Sequence, residues 1–229
     1  MFTGPRKGGV DIDQLLTLGE LLSENRILFL GEIDEDNALA IMYALRFLAS
    51  KDSAQPIKIE ILSQGGNVFW TLALYHVINS LNQSGVPIYT IGHNCFSAAA
   101  LILAAGKRGF RHIYPEGTVM LHASAISSVG NINQAAINIL KKYDRILIDI
   151  ICDLSGQKSK INKDDLYKKL VDDGVEFWFS AKEAKSFGLV DKIITPEIDR
   201  ELFGKLILPD WKEVENSGGN FSPPRNKKR

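Results

Sequence analysis

Short apolar runs alternate along this chain with longer stretches of helical periodicity. Residues 27–30 form an apolar run that reads as a strand, and Asp34 or Asp36 then stands where a helix through Leu48 needs its cap. Residues 57–62 alternate β-branched with charged side chains and read as a second strand. Gly65-Gly66 turns the chain into a helix over about 68–81. Residues 86–91 are the third strand, 97–105 a helix with no polar face, and 117–122 a short strand that closes on His122. This β-α-β-α-β-α rhythm predicts an α/β fold with a mainly parallel sheet and right-handed crossovers. Ligands of such folds bind at the carboxyl ends of the strands, and both Gly65-Gly66 and Ser97 fall there.

The second half reads differently. Residues 131–154 carry Ile132, Ala135, Ile139, Tyr143, Ile146 and Ile150 in one stripe, the pattern of a long amphipathic helix. By pattern alone that stripe lies on its own domain. Residues 164–171 and 181–187 predict two shorter helices. The end of the chain, with Ser217-Gly218-Gly219 and Pro223-Pro224-Arg225-Asn226-Lys227-Lys228-Arg229, has the composition of a solvated tail, and no internal repeat is visible.

Composition narrows the function classes. A chain of 229 residues suits one domain with a substantial core. Lys+Arg 27 against Asp+Glu 27 leaves no net charge, so nothing marks a nucleic-acid partner. Cys95 and Cys152 make no disulfide framework and suit a cytoplasmic or equivalent reducing compartment. The first residues, Met1-Phe2-Thr3-Gly4-Pro5-Arg6-Lys7, lack the apolar core of a signal peptide, and the run from 98 to 105 is far too short to span a membrane. No membrane partner is expected.

The chemistry rests on Ser97 and His122. A serine opening a helix sits where backbone N–H groups are unpaired and the dipole favours developing negative charge. A histidine leaving the next strand can take its proton, as nucleophilic catalysis by serine requires. Each residue also has a plain structural reading: Ser97 as a helix N-cap and His122 as a hydrogen-bonded strand end. Cys95 is a rival nucleophile or a small buried thiol.

Six segments in order resemble the ClpP family, the proteolytic subunit of the Clp protease. They are Arg26-Ile27-Leu28-Phe29-Leu30-Gly31 with Ile33-Asp34, Ile59-Glu60-Ile61-Leu62-Ser63-Gln64-Gly65-Gly66, Ser97 to Gly106, Val119-Met120-Leu121-His122, Ser155-Gly156-Gln157, and Ser180-Ala181-Lys182-Glu183-Ala184 with Gly188-Leu189-Val190-Asp191. The resemblance spans 21–196 and implies a ClpP/crotonase-like fold of repeated β-α-β units, with 131–154 as a protruding handle helix. Residues 1–20 and 197–229 lie outside it, as an N-terminal segment and a C-terminal extension.

The resemblance implies a serine endopeptidase with Ser97 as nucleophile and His122 as base, cleaving polypeptides through an acyl-enzyme. The spacing from Gly92 would put the nucleophile on Phe96, whereas counting back from Gly106 gives Ser97. The family aspartate maps to Glu176, with Asp172 and Asp173 as alternatives. Ala123 and Ser124 follow the histidine where the family has glutamine and proline, and Gln64 replaces the proline before the paired glycines. Oxyanion donors would be the N–H groups of Gly66 and Ala98. Gly65, Gly66, Asn67 and Val68 on one side, with Ser124, Ala125 and Ile126 on the other, would hold an extended peptide by strand addition, which implies broad specificity. No metal or cofactor is implied.

The implied partners are copies of the same chain in two stacked heptameric rings, and an AAA+ unfoldase that feeds polypeptide. The departures at Gln64, Phe96, Ser124 and Glu176 support an alternative, a catalytically impaired structural subunit of a mixed ring. Two further alternatives share the crossover architecture: an acyl-CoA enzyme of the crotonase type, and a serine–lysine peptidase using Lys107.

Overall fold

In the computed structural model, which describes residues 24–124, 134–156 and 162–204, the first half of the chain folds as successive strand–helix units. Strand β1 (Ile27–Leu30) leads to helix α1 (Glu35–Lys51), and the Asp34 carboxylate caps that helix by accepting the Asn37 N–H at 2.8 Å. Asp36 falls in the first turn instead, where the helix dipole still favours its charge. Strand β2 (Ile57–Ser63) leads to α2 (Val68–Gln83), which is capped by Asn67. Strand β3 (Ile88–Phe96) runs directly into α3 (Ala98–Ala104), and β4 (Arg111–Leu121) follows.

The remaining elements are α4 (Gln134–Ser155), α5 (Lys163–Tyr167) with a π turn over Lys168–Asp172, β5 (Phe177–Ser180), α6 (Ala181–Phe187), β6 (Lys192–Ile193) and α7 (Pro196–Phe203). The sheet order is β1-β2-β3-β4-β5, with β6 also on β4. Strands β1 to β4 are parallel, as the alternation predicts, and β5 runs antiparallel to β4. The result is the mixed α/β architecture with a mainly parallel sheet that the sequence predicts.

The apolar run of α3 has no polar face because it has no solvent: all seven of its residues are buried behind the sheet. Leu74, Ile78, Leu45 and the strand residues Ile57, Ile59 and Ile61 complete that core. Two expected strands are longer than their apolar runs. β3 continues from Ile91 to Phe96, and β4 begins at Arg111, because pairing with neighbours carries polar residues into the ladder.

The buried face of α4 also departs from the expected stripe. Asp144, Ile148, Ile151, Cys152 and Ser155 face the body, whereas Ile139 and Ile146 of the expected stripe are exposed. Residues 131–133, assigned to this helix from sequence, lie outside the described residues. Helix α7 packs Leu202 with Ile91 and Ile194, and the Leu202 carbonyl accepts the Lys58 ammonium at 2.7 Å.

Candidate active site

Ser97 occupies a sharp turn between β3 and α3, with φ 56° and ψ −125°. A left-handed φ is costly for a residue with a Cβ, and strain of this kind collects at functional turns. The turn is held by the Ser97 N–H, which donates to the Met120 carbonyl at 2.8 Å. The Ser97 hydroxyl makes no capping bond to its helix, so the N-cap reading does not account for it. Instead it lies 2.7 Å from His122 Nε2, just beyond the end of β4. Only Leu121 separates Met120 from His122, so the strand that pins the elbow also delivers the imidazole.

The register conflict has a structural cause. Ile61 pairs with Gly92 and Ser63 with Cys95, so β3 carries one more residue than β2 over that interval. That one-residue excess falls between Gly92 and Ser97, the interval over which the two counts differ. Phe96 turns to the opposite side, with its ring edge-on to Trp178 at 5.3 Å. Cys95 is wholly buried with its Sγ towards the Ile61 carbonyl, and burial pushes its thiol far above the ordinary range, so it is no nucleophile. Lys107 is exposed, and its backbone N–H bonds Ile88.

The paired glycines are required sterically. A Cβ on Gly65 would stand 2.8 Å from both the Phe96 carbonyl and the Ser97 Cβ, and one on Gly66 would run into the Ile33 carbonyl oxygen. The β2–α2 turn therefore lies against the Ser97 elbow. Among the described residues, neither the Gly66 nor the Ala98 N–H has a hydrogen-bond partner.

The expected substrate edge is partly corrected. The Asn67 N–H is taken by the Ile33 carbonyl, its own carbonyl accepts from Thr71, and its side chain caps Phe69 and Trp70. Asn67 thus has no free backbone group for an incoming strand. Val68 instead lines the pocket beside Ser97 and His122. The Ser124 N–H is held by Asp144 Oδ1 at 2.9 Å, and Ala125 and Ile126 lie outside the described residues.

Glu176 sits one step past the Leu121–Phe177 pair, the position opposite His122 on the adjacent antiparallel strand. Its carboxylate accepts the Trp178 Nε1–H at 3.1 Å and makes no hydrogen bond to His122. Asp172 and Asp173 are exposed at the end of the π turn. Among the described residues no cluster of His, Cys, Asp and Glu could hold a metal ion.

A family model of the Clp protease matches residues 11–197. The chain belongs to the Clp protease family. The match begins within the N-terminal segment that sequence alone left outside. Similar proteins include an ATP-dependent Clp protease proteolytic subunit 1 of Rhodopirellula baltica, 34% identical over 78% of this chain and 76% of that protein. A proteolytic subunit 2 of Chlamydia pneumoniae is 34% identical over 76% of this chain and 83% of its own length. A proteolytic subunit 3 of Synechococcus sp. (strain CC9605) is 32% identical over 83% and 92%. For a Clp protease family member the enzyme class is serine-type peptide hydrolysis, the chemistry in which a serine–histidine pair of this geometry has a use.

Sequence reasoning missed two residues at the site. Trp178 competes for the Glu176 carboxylate, and Asp144 lines the pocket that holds Ser97 and His122. Asp144 had a legible signal, an acidic residue one position beyond an apolar stripe, but that signal reads as an ordinary polar boundary until the helix face is known. Trp178 had none.

Proposed function

We propose that this Clp protease family member is a serine endopeptidase that cleaves polypeptide through an acyl-enzyme. The observation that carries the reading is the 2.7 Å contact between Ser97 Oγ and His122 Nε2 at a strained elbow. His122 takes the hydroxyl proton as Ser97 attacks the scissile carbonyl, then returns it to the leaving amine. Water repeats the cycle in reverse and releases the acid. The Gly66 and Ala98 N–H groups are the donors for the tetrahedral oxyanion, each worth about 3 kcal/mol in the transition state. Glu176 turns from Trp178 to His122 Nδ1, holding the ring tautomer and stabilising imidazolium.

The reaction takes place in a chamber of two stacked heptameric rings built from copies of this chain. Exposed Phe29, Tyr43, Phe47 and Leu62, with Ile139 and Ile146 on α4 as the handle, support extensive subunit contacts. That the similar proteins are ATP-dependent Clp protease subunits supports an AAA+ unfoldase as partner. Cys95 and Cys152 are both buried and unpaired, in keeping with a cytoplasmic setting. No helix among the described residues is long and apolar enough to cross a membrane.

One observation favours a second reading, an impaired structural subunit: Glu176 is engaged by Trp178 rather than by His122. Fluorophosphonate treatment of assembled protein with peptide mapping separates the two. A single adduct on Ser97, missing in Ser97→Ala, is expected. No adduct from folded, assembled protein would leave the structural-subunit reading in place.

A further inference from the structure

Asp144 is a carboxylate in the wrong place for a structural helix residue. It is 5% exposed, midway along α4, and it lines the pocket that contains Ser97 and His122. Its Oδ1 accepts the Ser124 N–H at 2.9 Å, which fixes the group. Oδ2 has no hydrogen-bond partner among the described residues, yet it is not one of the sealed unpaired polar atoms, which are His112 Nδ1, Asp149 Oδ1 and Ser155 Oγ. No described Lys, Arg or His forms an ion pair with it. The adjacent Arg145 is committed to Asp149 and Asp164. The other walls of the pocket include Leu101, Leu147, Ile148 and Ile151.

A carboxylate withdrawn from water without a counter-charge is costly, and the cost is recovered when a cation binds beside it. Apolar walls leading to one fixed carboxylate match a side chain with a methylene stem and a cationic head. We propose that Asp144 selects a lysine or arginine side chain on the acyl side of the scissile bond, the residue whose carbonyl Ser97 attacks. This rests on the peptidase reading above. It narrows the broad specificity expected from backbone pairing alone. A bond from Asp144 to Ser124 with no further role is the competing account.

The test uses the assembled full-length protein and two peptidyl diphenyl phosphonates identical except for arginine or norleucine next to phosphorus. The readout is the rate of adduct formation on Ser97. The arginine probe is expected to react at least tenfold faster than the norleucine probe. Asp144→Asn retains an oxygen for the Ser124 N–H and removes the charge. It should cut the arginine-to-norleucine ratio at least tenfold, with the norleucine rate changed less than threefold. Equal or faster reaction of norleucine in the wild-type protein overturns the assignment without reference to any variant. Equal slowing of both probes in Asp144→Asn also overturns it, in favour of the Ser124 anchor. If a generic fluorophosphonate labels Ser97 but the arginine probe does not, Asp144 alone loses its role. If nothing labels Ser97, the peptidase reading falls and takes this one with it.

Discussion

At the scale of single residues, Ser97 and His122 meet at 2.7 Å, whereas the acid proposed to orient the histidine is bonded elsewhere. Glu176 lies opposite His122 by strand register and is held by the Trp178 indole. Glu176→Gln keeps the length and loses the charge that, on the proposed reading, stabilises imidazolium. Its kcat for a peptide substrate should fall about 100-fold or more, towards the roughly 10⁴-fold loss known when a triad acid becomes an amide. Asp172→Asn and Asp173→Asn should each stay within about threefold, on the base rate for exposed carboxylates. Trp178→Phe removes the competing donor and should raise kcat a few-fold. Steady-state kinetics on the assembled protein check all four variants, and an unchanged kcat in Glu176→Gln would remove Glu176 from the site. Ser97 and His122 were legible in the sequence because the helix start and the strand end are local features. The rotamer of Glu176 was not, because it depends on an indole two residues away competing with a ring on another strand.

At the scale of elements, the site depends on two backbone turns brought into contact. The β2–α2 turn approaches the Ser97 elbow so closely that no Cβ fits on Gly65, and Ile33 leaves none for Gly66. Gly66→Ala would face the Ile33 backbone at φ 149°, a conformation L residues avoid, and is expected to cost about 1–3 kcal/mol in thermal or denaturant unfolding. The same shift moves the Gly66 N–H, so kcat should fall at least about 100-fold if that donor serves the oxyanion. Full activity in Gly66→Ala would exclude it as a donor. The paired glycines were readable as a turn, but their closeness to Ser97 came only from packing. In α4, periodicity identified the helix but only part of its buried face: Ile150 packs against the core, whereas Ile139 and Ile146 are exposed. The helix carries apolar residues on two sides, and which side meets the body is settled by α3 and α5 packed against it.

Across the whole molecule, one buried ion pair ties the layers together. The Arg111 guanidinium donates to both oxygens of Asp191, at 2.8 and 2.7 Å, and to the carbonyls of Ala104 and Leu154 at the ends of α3 and α4. Burial works against the Asp191 charge, but Arg111 and the N–H groups of Gly109 and Arg111 outweigh it and hold the carboxyl below its ordinary range. Asp191→Ala leaves Arg111 buried and unpaired and should cost about 3–5 kcal/mol in denaturant unfolding. His112 is shifted in the same direction for another reason: burial first, then the Lys192 charge, hold it neutral.

Both groups bind a proton more readily in the unfolded chain, so each weakens the fold on acidification. The His112 contribution declines as pH falls below the unfolded value near 6.5, and that of Asp191 only below about 3.9, as pH passes towards its lower folded value. Thermal midpoints should therefore fall in two stages, and His112→Phe should flatten the first while leaving the second. A first stage unchanged in that variant would assign it to another group.

The sequence alone determined the alternation of strand and helix, the burial of α3 and the family segments in their order, and it singled out Ser97 and His122, which the structure brings to 2.7 Å. These follow from periodicity and from residues whose chemistry is set by their neighbours in the chain. Tertiary structure decided the rest. The β3 bulge fixed which residue stands at the elbow, since strand pairing alone counts residues across a ladder. The antiparallel return of β5 put Glu176 opposite His122 from a distant part of the chain. The packing of α4 turned Asp144 inwards, because an amphipathic pattern marks which side chains are apolar but not which surface will meet them.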